Sequence, residues 1–61
     1  MTEYALKIAK ELDESLNKTI AILSQSDHPC VKAFKETVYL YKMRTSLIIS
    51  ELSAQKENNV Q

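Results

Sequence analysis

The chain contains no glycine, and Pro29 is the only proline among its 61 residues. Glycine and proline are the strongest signals for turns and helix ends, so the sequence consists of two long segments on either side of one break. Charged residues make up 26% of the chain, and they recur among apolar residues with helical spacing rather than the alternation typical of strands. We therefore predict an all-α fold.

The segment before Pro29 has the pattern of an amphipathic helix. Apolar or small residues recur at alternating spacings of four and three residues. The opposite face carries the pairs Glu3–Lys7 and Glu14–Lys18, whose spacing favours ion pairing along a helix. We predict helix 1 over about residues 3–24, with a stripe formed by Ala5, Ala9, Leu12, Leu16, Thr19 and Leu23.

The segment after Pro29 repeats this spacing and predicts helix 2 over about residues 29–54. Its strongest stripe is formed by Val31, Phe34, Val38, Tyr41, Thr45, Ile48 and Leu52, and such a seam packs against a partner helix. A short polar turn between two helices makes an antiparallel hairpin. The predicted hairpin core consists of Leu12, Leu16, Leu23, Phe34, Val38, Tyr41, Ile48 and Leu52.

We place the turn at about residues 25–29. Pro29 suits the first turn of a helix, because its missing N–H is not needed there, and it drives His28 out of the helical conformation. Ser26, Asp27 or His28 can then cap helix 2. The hairpin is predicted as one domain over residues 1–55, and residues 56–61 as a polar disordered tail.

Helix 2 has more apolar surface than one partner helix can cover. Leu40 and Leu47 belong to a second stripe that is separated from the first by Thr37, Arg44 and Glu51. Each large aliphatic side chain left in water forgoes ~1.5–3 kcal/mol of burial, and a chain this short buries only ~60% of its surface alone. We expect a protein partner or a homo-oligomer to complete the fold, through an interface of Tyr39, Leu40, Met43 and Leu47.

His28 and Cys30 are the only histidine and the only cysteine. A Cys–His nucleophile also needs an orienting group and an oxyanion site, and a zinc site needs ligands beyond these two, which only a symmetric dimer would supply. A third interpretation, which we favour, makes Cys30 a small apolar residue at the edge of the seam. We predict no enzymatic activity, no catalytic residues, no metal or other cofactor and no small-molecule substrate.

Eight basic residues balance eight acidic ones, which argues against a nucleic-acid partner. The alternative function nevertheless stays open, because Lys32, Lys35 and Lys42 form a basic stripe that a dimeric four-helix bundle could present to RNA or DNA. The single cysteine and the lack of a signal-peptide pattern predict a cytoplasmic protein. The longest apolar run, residues 47–49, is far too short to span a membrane.

Two segments, "LDESLNKTIAIL" and "TSLIISEL", lie on either side of the polar turn. Together they resemble the small cytoplasmic E-type component of bacterial type III secretion systems, over about Ala9 to Leu52. The turn "SQSDHP" is also similar to that of the needle subunits, which are helical hairpins with a longer N-terminal stretch.

The resemblance to the E-type family implies a bacterial two-helix co-chaperone. Such a protein binds a larger tetratricopeptide-repeat chaperone, and the two together keep the needle subunit from polymerising. The predicted function is accordingly a small protein–protein interaction module, a co-chaperone or assembly adaptor with a larger helical partner.

Overall fold

The computed structural model describes residues 1–59, which form two helices. Helix α1 spans Thr2–Leu23 and helix α2 spans Pro29–Asn59. They pack against each other as an antiparallel hairpin, which confirms the predicted all-α class. The molecule is elongated, with extents of 50 × 14 × 13 Å, because a helix rises about 1.5 Å per residue and α2 runs the length of the hairpin.

Residues 24–28 form the turn between the helices. At the end of α1 the backbone N–H and the hydroxyl of Ser24 both donate to the carbonyl oxygen of Ile20, over 2.9 and 2.7 Å. These bonds satisfy a carbonyl that helix termination would otherwise leave without a partner. Ser26 follows, and its Oγ accepts a 3.2 Å hydrogen bond from the N–H of His28.

His28 is the residue that caps α2. Its Nδ1 accepts a 3.1 Å hydrogen bond from the backbone N–H of Cys30, and its carbonyl oxygen accepts the N–H of Lys32 over 3.0 Å. Pro29 occupies the first helical position between them, where a proline costs no hydrogen bond. Among the three capping candidates of the sequence, the ring of His28 therefore takes this role.

Helix α2 continues beyond its predicted end at residue 54 and reaches Asn59. The prediction of a disordered tail is thus wrong for residues 56–59, and residues 60 and 61 lie outside the described part of the chain. The segment is polar, and its first two residues, Lys56 and Glu57, are good helix formers. Lys56 also lies beside the start of α1, with its Nζ 3.6 Å from Oε1 of Glu3.

The core of the hairpin is narrow. Leu6 and Val38 are 6% and 3% exposed, and Thr45 is buried with them. The Thr45 hydroxyl donates a 2.8 Å hydrogen bond to the carbonyl oxygen of Tyr41, so its polar group is satisfied. Apart from Thr2, Thr19 and Ser53, the buried and half-buried helix residues whose side chains are described define the seam between the helices: Leu6, Ala9, Asp13, Leu16, Ile20 and Leu23 on α1, and Val31, Lys35, Val38, Lys42, Thr45, Ile49 and Leu52 on α2.

Half of the predicted core lies outside this seam. Leu16, Leu23, Val38 and Leu52 line it, whereas the prediction is wrong for the four exposed residues Leu12, Phe34, Tyr41 and Ile48. The helices are rotated so that α2 faces α1 with Lys35, Lys42 and Ile49 in place of Phe34, Tyr41 and Ile48, the apolar residues that precede them. This rotation brings the Lys42 ammonium into contact with the Asp13 carboxylate. The methylene groups of a lysine side chain can cover apolar surface while its charged end reaches such a partner.

Candidate interaction surfaces

The outward side of α2 carries the four residues predicted as a partner interface. Successive residues of an α-helix are rotated by about 100° around its axis. This rotation places Leu40 and Leu47 on the side of α2 nearly opposite the seam, where they are 60% and 70% exposed. Tyr39 and Met43 lie beside them and are exposed as well. We call these four residues the outer strip, which α1 leaves uncovered.

A second apolar surface lies on one broad side of the hairpin. It consists of Ile8 and Leu12 on α1 and of Phe34, Tyr41 and Ile48 on α2, and each of the five is about half exposed. Helical geometry places both groups next to the seam and on the same side of it, because the helices run antiparallel. We call this surface the open face. It extends over both helices, whereas the outer strip belongs to α2 alone.

Three polar side chains separate the outer strip from the open face. Thr37, Arg44 and Glu51 recur every seven residues along α2, and all three are exposed. Residues spaced by seven stay on almost the same line of a helix. The two apolar surfaces are therefore distinct patches with a polar border.

The other broad side of the hairpin is polar and charged. A shallow groove there is lined by one apolar and six charged residues: Leu6, Glu3, Lys7, Lys10, Glu11, Glu14 and Lys56. Alternating charges of this kind are typical of a solvated face. The contrast between this side and the open face makes the hairpin two-sided.

The structure weakens the case for nucleic-acid binding by the basic stripe of Lys32, Lys35 and Lys42. Nζ of Lys42 lies 2.6 Å from Oδ1 of Asp13, with 28% and 23% of the two side chains exposed. Lys35 is half-buried in the seam, while Lys32 is exposed. A stripe that follows a phosphate backbone needs several accessible cations, and in this arrangement the charge of Lys42 is already matched within the chain.

His28 and Cys30 do not form a nucleophile pair with each other in this arrangement. The Nδ1 of His28 is directed to the backbone N–H of Cys30, which is a capping interaction and leaves the thiol outside the contact. Cys30 is exposed, so its predicted place at the packed edge of the seam is wrong. The described residues contain no group of three His, Cys, Asp or Glu side chains able to hold a metal ion.

The open face is the feature that the sequence interpretation missed, because its residues were assigned to the hairpin core. A signal was present in the charges. With the turn at residues 24–28, the midpoints of the two helices face each other, and Asp13 and Lys42 are oppositely charged residues near those midpoints. Their attraction favours a seam through Lys42 over one through Tyr41.

Comparisons of the chain with models of protein families, with curated proteins and with solved structures find no match. Within residues 1–59, neither helix contains an apolar stretch long enough to cross a bilayer.

Proposed function

We infer that this chain is a small protein–protein interaction module, a co-chaperone or assembly adaptor that binds a larger helical partner. The observation that carries the proposal is the outer strip, where Tyr39, Leu40, Met43 and Leu47 are between 47% and 70% exposed on consecutive turns of one helix. Large apolar and aromatic side chains dominate the free energy of protein association when a partner buries them.

The spacing of the outer strip suits one mode of recognition. Leu40, Met43 and Leu47 follow the i, i+3, i+7 pattern with which a helix anchors itself in an apolar groove. The concave surfaces of helical-repeat proteins supply such grooves. The resemblance to the E-type family supports a particular case, in which the partner is a tetratricopeptide-repeat chaperone. In that case the chain and the chaperone together bind the needle subunit of a type III secretion system.

The test is a binding titration of a tetratricopeptide-repeat chaperone of type III secretion, alone and with its needle subunit. The double variant Leu40→Asp/Leu47→Asp should lose at least about 100-fold in affinity, since each position is an expected hot spot. The matched control Asn17→Asp/Ala21→Asp adds the same charge to two exposed positions of α1, which packs on the side of α2 opposite Leu40 and Leu47, and it should bind as the original chain does.

Two readouts make the result decisive. Circular dichroism should show unchanged helicity for both double variants, and the affinity should change less than about tenfold between 50 and 200 mM salt, because phosphate contacts would cost far more. Unfolding of Leu40→Asp/Leu47→Asp would assign these residues to the hairpin core instead. A chaperone that does not bind the original chain would contradict the secretion role, and equal losses in both double variants would contradict the outer strip as the interface.

A further inference from the structure

The isolated hairpin buries little of its apolar surface. Among the described residues, Leu6 and Val38 are the apolar side chains that are nearly completely buried. The five residues of the open face, by contrast, are larger on average and remain half exposed. Apolar surface that is continuous with a core and left in water favours association, and two antiparallel helices are half of the commonest helical bundle.

We propose that a second copy of this chain covers the open face, giving a four-helix bundle whose two-fold axis runs parallel to the helices. In this arrangement α1 of each copy lies beside α2 of the other, and every neighbouring pair of helices is antiparallel. Ile8 and Leu12 of one copy then face the line of Phe34, Tyr41 and Ile48 of the other. The interface is isologous, so one self-complementary face is sufficient.

The size of the open face suits a dimer of this kind. A helix of the length of α1 is about 33 Å long, and two helices side by side are roughly 20 Å wide. The flat projection of the face is thus about 650 Å², before side-chain relief adds to it. Stable interfaces bury about 800 Å² per partner, so the face approaches the size that a stable dimer needs when it is covered along its whole length.

The charges at the two borders of the open face favour a second copy over an unrelated partner. A two-fold axis parallel to the helices keeps each residue at its own height along the bundle. The pairs Asp13–Lys42 and Glu3–Lys56 show which residues of α1 and α2 lie at the same height. They place Arg44 near the level of Glu11.

Glu11 lies on the outward side of α1, between Ile8 and the charged groove, and Arg44 lies on the border of α2 beyond Tyr41. In the dimer the α1 border of one copy approaches the α2 border of the other. Arg44 then approaches Glu11, and the symmetry repeats this pair. The chain has no net charge, so long-range repulsion does not oppose its self-association.

This inference does not depend on the proposed function, because it concerns the open face and not the outer strip. The polar line of Thr37, Arg44 and Glu51 separates the two surfaces. A dimer formed through the open face leaves both outer strips directed outward and available to a helical partner.

The first experiment measures the molar mass of the purified chain by light scattering. At about 100 μM, above the micromolar Kd that bounds interfaces of standard size, the mass should be twice the 7.0 kDa of one chain. Ile48→Glu places a charge in the open face and should give the mass of one chain. Its matched control is Leu47→Glu, the neighbouring residue on the outer strip, which should remain dimeric.

The second experiment tests the pair Arg44–Glu11 and does not require a core substitution. Arg44→Glu and Glu11→Arg should each weaken the dimer by about fivefold or more, since each places like charges together twice per dimer. The double variant Glu11→Arg/Arg44→Glu should recover most of the affinity. Both positions are exposed, so circular dichroism should show the helicity of the original chain for all three variants.

Three results would overturn the proposal. The original chain could have the mass of a single chain at this concentration. Leu47→Glu could dissociate the dimer while Ile48→Glu leaves it intact, which would assign self-association to the outer strip. The reversed pair could fail to recover the dimer, which would exclude the arrangement with Arg44 beside Glu11. Binding of a helical partner is measured separately, so failure here leaves the proposed function standing.

Discussion

Nζ of Lys42 lies 2.6 Å from Oδ1 of Asp13 and joins the middle of α2 to the middle of α1. Both side chains are more than two-thirds buried, so the pair belongs to the seam and not to the solvated surface. A seam residue with a charge must find its partner there, because a buried unpaired charge is costly. The contact therefore favours the rotation in which the stripe of α2 that contains Lys42 faces α1.

Removal of one member of this pair should destabilise the hairpin. Lys42→Met keeps an unbranched stem but leaves Asp13 without its cation, and we expect a loss of about 1–2 kcal/mol in the free energy of unfolding. Lys56→Met is the matched control, since Lys56 and Glu3 are 3.6 Å apart and more exposed. It should change stability by about 0.5 kcal/mol or less.

Urea denaturation at one fixed chain concentration measures both variants. The double variant Asp13→Leu/Lys42→Met should recover the stability that Lys42→Met loses, because an apolar pair of similar size can replace a partly buried ion pair. If Lys42→Met and Lys56→Met behave alike, the pair does not determine the rotation of the helices.

Val38 should be the most sensitive apolar position of α2. Val38→Ala removes two methyl groups from a side chain that is 3% exposed, and we expect a loss of about 1–2.5 kcal/mol from lost burial and the remaining cavity. Leu47→Ala shortens a side chain that is 70% exposed and should stay within about 0.5 kcal/mol. Denaturation midpoints of the two variants at equal chain concentration provide the measurement, and the reverse order would contradict the seam.

His28 should stabilise α2 through its ring. His28→Ala removes the acceptor of the Cys30 N–H and should cost about 0.5–2 kcal/mol, whereas His28→Asp supplies another good capping acceptor and should be neutral or stabilising. For a chain of this size, 1 kcal/mol corresponds to about 4–8 °C in Tm. A thermal scan of both variants checks the prediction. Equal Tm values for His28→Ala and His28→Asp would refute it.

Cys30 should behave as an accessible thiol. Because it is exposed and its backbone N–H, not its Sγ, contacts His28, a disulfide reagent such as dithionitrobenzoate should label the native protein completely. The rate should lie within about tenfold of that in denaturant, since no burial protects the group. Cys30→Ser should leave stability unchanged. Slow labelling in native buffer would place the thiol in a contact.

Local interactions made much of the fold predictable. Pro29 and the polar residues before it determine where α1 stops and α2 begins, and the structure places the turn within one residue of the prediction. The end of α2 was harder to predict, because polar helix formers such as Lys56 and Glu57 are compatible with both a helix and a tail. Here the contact between Lys56 and Glu3 accompanies the helical state.

The candidate surfaces were predictable only in part. Leu40 and Leu47 lie so far from every seam position on α2 that helical spacing alone places them outside a two-helix contact. Tyr41 and Lys42 differ by one position, and either can face α1 as far as periodicity is concerned. Because a wide apolar stripe exceeds what one helix covers, part of it had to remain exposed, but its spacing does not say which part.

By itself the sequence determined the helical class, the single turn at Pro29 and the excess of apolar residues on α2, since propensity, capping and periodicity act over a few residues. The rotation of the helices about their axes was decided by the tertiary structure. That rotation depends on pairing residues 29 positions apart, Asp13 and Lys42, and on the packing that accompanies them. It is the physical reason that Phe34, Tyr41 and Ile48 lie on an open face instead of in the core.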